Sequence, residues 1–138
     1  MAYATILVPI DEHPEAAASL DAARRLALAF GAHLEGLALV PPLAAAQRLR
    51  PRQSAAKLMK KEWERDRTEA RAAARRFEAR AKAAGVVSVG TVVAEGMEAA
   101  LVGLRARVAD LVVLPRPGED DIGALGGNRV ESTLLAVG

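Results

Sequence analysis

Cysteine is absent from the 138 residues. That excludes a disulfide scaffold, Cys-ligated zinc, iron–sulfur clusters and thiol catalysis together. Histidine occurs only as His13 and His33, too few for a His-rich metal site. Aromatics make up 3% of the chain, so the core must be built from Val, Leu and Ala, and the large anchors of protein interfaces are scarce. No charge of one sign dominates: 19 Lys and Arg face 17 Asp and Glu, a net of +2. A sequence-independent nucleic-acid binder needs a concentrated basic face instead. No apolar run approaches the roughly 18 residues of a membrane span, and the first residues lead into a strand-like segment without leader features. The expectation is one cytoplasmic domain over residues 1–138, with neither nucleic acid nor membrane as partner.

What is present alternates between two periods. Thr5-Ile6-Leu7-Val8-Pro9-Ile10-Asp11 is a short apolar run without helical spacing, as in a strand buried on both faces of a parallel sheet. His33–Val40, Val86–Ala94 and Asp110–Leu114 read the same way. Pro14 suits a first helical turn, after which Ala16, Leu20, Ala23, Ala27 and Phe30 recur every three or four residues and Gly31 follows as a terminator. A long helix former runs from about Arg52 to Ala84, with Ala55, Met59, Trp63, Ala70, Ala74, Phe77 and Ala81 as the inward stripe. Asp66 interrupts that stripe, which points to a first half overhanging the sheet edge. Small alanines make a poor coiled-coil seam, so packing onto a sheet is preferred. Gly96–Val108, with Met97, Leu101 and Leu104 on one side, and Asn128–Val137 give two more helices.

The order β-α-β-α-β-α-β-α predicts an open, doubly wound parallel sheet in a three-layer α/β/α, Rossmann-like fold. Ligands in such folds sit beyond the carboxyl ends of the strands, where strand order reverses. That directs attention to Pro9–His13, Val40–Pro42, Glu95-Gly96 and Pro115–Asn128. A fifth strand is missing after the last helix, which would leave the apolar 110–114 strand on an open edge. The expectation is a shortened chain, half of a tandem protein, or a second chain covering that edge.

Two features could carry chemistry. Asp11, at the carboxyl end of a central strand, is placed to accept hydrogen bonds from a ribose or to hold a metal. The competing reading is an Asp that caps the helix opening at Pro14. The glycine-rich stretch from Pro115 to Arg129 leads into a helix start, where backbone N–H groups can approach a phosphate and Arg129 can add charge. The competing reading there is an ordinary connection, since the stretch is neither a Walker sequence nor a dinucleotide fingerprint. His13 reads as a surface residue at a helix start and His33 as structural. The basic stretch Lys57 to Arg67 is interleaved with acids, as on a solvated face. The acid pair Asp11-Glu12 lacks the third-strand aspartate and late lysine of a phosphate-accepting receiver domain. No set combines nucleophile, base and oxyanion donors, which argues against efficient catalysis.

Together the V-P-I-D strand end, the long second helix, the V-V-L strand with its glycine loop and the G-N-R-V-E-S-T-L-L segment resemble the universal stress protein family, over the whole chain. Its ATP-binding members carry G-x2-G-x9-G-(S/T) directly after the fourth strand. The resemblance implies nucleoside contacts from Asp11 and from the main chain at Val40, phosphate contacts from Gly127 and Asn128, and a place in the glycine loop for Gly118. Pro9, Ile10, Leu114 and Arg129 complete the expected site. The chain departs from the pattern in four places. Pro115 stands where the first glycine belongs, eight residues separate Gly118 from Gly127, Asn128 replaces the hydroxyl residue, and the alternative register Gly123-x2-Gly126 leaves no room for the rest of the pattern. In addition, Glu119, Asp120 and Asp121 put three carboxylates in the loop. Two like charges 4 Å apart repel by about 4 kcal/mol at an effective dielectric constant of about 20. A triphosphate would therefore need magnesium or an outward-turned loop. The resemblance implies a stress-response regulatory module that binds ATP or AMP weakly, hydrolyses ATP slowly at most, and assembles as a homodimer. A protein-interaction module that has lost its nucleotide is the alternative.

Overall fold

The computed structural model describes residues 4–42 and 53–115. Within them the chain runs β1 (Thr5–Pro9), a 3-10 turn (Pro14–Ala16), α1 (Ala17–Phe30), β2 (His33–Val40), α2 (Gln53–Ala83), β3 (Val89–Glu95), α3 (Glu98–Ala106) and β4 (Leu111–Val112). The described strands form one parallel sheet in the order β3-β2-β1-β4. This is the α/β fold that the alternation of periods predicted. The order reverses at β1, which has β2 on one side and β4 on the other, so the switch point lies between β1 and β4.

Helices cover both faces because strand side chains alternate. Ile6, Val8 and Leu34 point to one side, where they pack with Ala23 and Ala27 of α1 and with Phe77 and Ala81 of α2. Leu7 and Leu37 point to the other and meet Val102 of α3. The middle strands are apolar on both faces for that reason.

One close approach fixes how α2 lies on the sheet. A Cβ on Gly36 of β2 would stand 2.6 Å from the Phe77 ring and 2.8 Å from the Ile10 side chain. Glycine inside this strand is the notch that admits the Phe77 ring. At the end of α1, Gly31 adopts φ +60 and its N–H bonds the Ala27 carbonyl, the left-handed terminator expected there.

Several details differ from the periodicity. Phe30 is exposed although it shares the α1 stripe, because it sits in the last turn, where the chain reverses into β2. On α3 the buried residues are Val102 and Gly103, Leu101 is half-buried, and Met97 and Leu104 are exposed. The helix starts two residues later than Gly96, and the glycine at 103 lets its close-packed side differ from the one with the largest side chains. Residues 86–88 precede β3 rather than belonging to it, and β4 is two residues long. In α2 the inward stripe is buried at Ala70, Ala74, Phe77 and Ala81, only half-buried at Met59 and Trp63, and Ala55 lies outside the described side chains. The expected Asn128–Val137 helix also lies outside the described residues.

Candidate functional site at the carboxyl ends of the strands

Beyond Pro9 the first strand keeps one more sheet bond, from the Ile10 N–H to the Leu37 carbonyl at 2.8 Å. The chain then turns sharply. Asp11 Oδ1 accepts the His13 backbone N–H at 2.9 Å and lies 2.6 Å from His13 Nδ1. A carboxylate bonding the backbone two residues on is the Asx turn that aspartate favours. Pro14 then opens the 3-10 turn, closed by the Ala16 N–H on the His13 carbonyl at 3.0 Å. Asp11 thus shapes the entry to α1 and also faces the space above the sheet. The capping reading is not met in the strict sense: Asp11 bonds His13, the residue before the turn, and no side chain caps the 3-10 turn or α1. His13 is exposed, as expected of a helix-start histidine, and His33 bonds Ser88 Oγ through Nδ1 at 2.7 Å, a structural role.

Glu12, between them, reaches the other way. Arg76 of α2 donates to both its oxygens, from Nε at 2.6 Å and from Nη2 at 2.7 Å, and the same Nη2 donates to Glu69 at 2.7 Å. The planar fork of Arg matches a carboxylate in this way. Those hydrogen bonds from Arg76, aided by the charges of Arg76 and Arg80 against the opposing effect of burial, hold Glu12 below the usual carboxylate range. The Arg76 guanidinium in turn holds its proton more tightly.

Above the strand ends lies a cleft of about 910 Å³. Its floor and one wall are Ile10, Ala38, Leu39, Pro41 and Pro42; Met97 and Gly96 close the β3 side, and Ala70 and Ala73 of α2 the other. Among the described residues its titratable lining is five carboxylates, Asp11, Glu12, Asp66, Glu69 and Glu98, with His13 beside Asp11. Gly96, at φ +150, donates its N–H to the Val40 carbonyl at 3.0 Å and so ties the ends of β2 and β3 together. Among the described residues no three His, Asp or Glu side chains converge as a metal site.

Of the expected site residues, Ile10 and Asp11 line this cleft. Val40 does not. Its side chain is buried under α2 and its carbonyl is engaged by Gly96, while its neighbours Leu39, Pro41 and Pro42 form the wall. Pro9 is buried below the cleft, and Leu114 packs among Leu7, Leu37 and Val102 on the opposite face of the sheet. Gly118, Gly127, Asn128 and Arg129 lie outside the described residues. The acids of α2 are an addition. Their signal was present at Asp66, whose break in the apolar stripe marks the point where the helix rises past the sheet and borders the cleft.

A family model for the universal stress protein family matches residues 2–135. The chain belongs to the universal stress protein family. Among solved structures, universal stress protein UspA from Lactobacillus plantarum matches with a TM-score of 0.78 at 19% identity, covering 99% of this chain and 93% of that one. A universal stress protein in complex with cAMP matches at 25% identity, TM-score 0.65, over 99% of this chain and 91% of that one. A universal stress protein from Burkholderia pseudomallei is 26% identical, TM-score 0.66, over 83% and 82% of the two chains. No curated protein matches the sequence. In this universal stress protein the turn after β1 and the ends of β2 and β3 border the strand-end cleft.

Proposed function

We propose that the chain is a stress-response regulatory module that binds an adenine nucleotide weakly, with the base and ribose in the cleft above β1, β2 and β3. The observation that carries this reading is Asp11, held by its own turn at the edge of a cleft of about 910 Å³ whose body is apolar. Small-molecule sites occupy about 300–1,000 Å³ and combine apolar walls with a few fixed polar groups. Ile10, Leu39, Pro41 and Pro42 offer a flat apolar surface for a purine, and Asp11 an acceptor for ribose hydroxyls. The relative solved with cAMP supports the ligand class. Carboxylates line the described part of the cleft, so the phosphate end leaves the cleft or is screened by magnesium. No catalytic residue is assigned, and a homodimer is the proposed assembly.

Calorimetry with AMP, ATP and cAMP, with and without magnesium, tests this reading. Micromolar binding is expected, weakened at least about tenfold in Asp11→Asn, roughly 1.4 kcal/mol. Asparagine keeps the acceptor for the His13 N–H and loses only the charge. No heat of binding at millimolar nucleotide would sink the proposal and leave a protein-interaction module of the same fold.

A further inference from the structure

Behind the turn 10–14, between α1 and α2, lies a second cavity of about 310 Å³ whose charge is opposite to that of the cleft. Leu20 and Arg24 of α1 border it at a four-residue spacing, and Arg76, Phe77 and Arg80 of α2 at the spacing of one helix face. Three guanidinium groups thus line one small space, against the carboxylates of Asp11 and Glu12. Like charges at i and i+4, as at Arg76 and Arg80, disfavour a helix on their own. Arg24 is only 25% exposed and meets Asp21 loosely at 3.6 Å. Arg80 forms no ion pair among the described residues. Glu12, bidentate on Arg76, sits in the fork as a tethered anion would.

We propose that the Arg24–Arg76–Arg80 pocket between α1 and α2 binds a phosphoryl anion, with Glu12 as the internal anion that competes for Arg76. Guanidinium forks match two oxygens of a phosphate as they match a carboxylate. At about 30 Å³ per water, the cavity holds roughly ten waters, room for a phosphate or pyrophosphate with part of its hydration. The anion is either free in solution or the tail of a nucleotide seated in the cleft, since both cavities share Ile10 to Pro14 as a common wall. The pocket stands whether or not the cleft takes a nucleoside, because its residues on the two helices are, apart from Ala73, not those of the cleft.

Titration of the full chain with pyrophosphate, followed by calorimetry and by backbone amide shifts, tests the proposal. Wild type is expected to bind, with shifts centred on residues 12, 20–24 and 76–80. The double variant Arg24→Gln with Arg80→Gln should bind at least about tenfold more weakly, while Glu12→Gln should bind more tightly, because the competing carboxylate is gone. A tighter Glu12→Gln is a result that misfolding does not imitate. Adenosine and ATP distinguish the sources. If ATP displaces pyrophosphate and adenosine does not, the anion is a nucleotide tail; if ATP and pyrophosphate bind together, it is free. No binding of pyrophosphate at millimolar concentration, equal affinity in wild type and the double variant, or no gain in Glu12→Gln would overturn the proposal.

Discussion

Between residues 57 and 69 of α2 only Met59, Trp63 and Arg67 are even half-buried, and Arg67 lies over the Trp63 ring at 4.8 Å. From Ala70 onward Ala70, Ala74, Phe77 and Ala81 are buried where the helix lies on β2 and β3. The first half brings acids, Asp66 and Glu69, to the cleft; the second brings Arg76 and Arg80 to the pocket behind it. One helix therefore sets two electrostatic environments on either side of the same turn. The anchored half can hold its arginines near one another because Phe77 and its neighbours fix the backbone beneath them. The overhanging half has no such anchor: Asp66 is exposed, and Glu69 accepts from Arg76 at 2.7 Å.

The contrast breaks most readily at Phe77. Truncating a buried Phe removes about 3–5 kcal/mol, so Phe77→Ala should approach the loss of the fold in a small domain. Trp63→Ala, on the half-buried side, should cost clearly less by urea denaturation. Equal losses would show that the two halves are held alike. Next comes the notch. Gly36→Ala introduces a methyl at 2.6 Å from the Phe77 ring, an overpacking worth about 1–3 kcal/mol. In the double variant with Phe77→Ala that clash disappears, so the two costs should add to less than their sum. Strict additivity would mean that the ring does not occupy the notch.

How much of this was legible in the sequence follows the same division. The sheet, its parallel order and helices on both faces follow from apolar runs that alternate with 3/4 spacing, because burial on two faces leaves no other pattern. The position of Asp11 at the carboxyl end of the first strand was legible as well, and its side chain both forms the turn to His13 and borders the cleft. Val40 ends the second strand as read, and its side chain packs with Ala38, Ala70 and Ala74, so the contact that the resemblance implies there is one of the main chain. Arg76 and Arg80 belong to no motif of the Arg-rich helix. Nothing local distinguishes them from Arg71 or Arg75, because their role depends on α1 lying opposite. The notch was equally hidden, since a glycine at 36 and a phenylalanine at 77 show no relation along the chain.

The smallest effect expected is a pH dependence at Glu12. Its carboxyl is held below the ordinary value of 4.5 in the folded chain, chiefly by the Arg76 hydrogen bonds. A depressed pKa adds stability that is fully present above the unfolded value and is lost as pH falls through the folded one. The melting temperature of wild type should therefore exceed that of Glu12→Gln near neutrality, with the gap closing as the pH drops below 4.5. Both partners are 41% exposed, so water and salt screen the pair, and the gap should also narrow at high ionic strength. A gap that stays constant down to about pH 3 would mean that the Glu12 charge contributes nothing to the tie between the β1 turn and α2. The anchored half of the helix would then be held by apolar packing alone, and the competition between Glu12 and an incoming anion would lose its electrostatic basis.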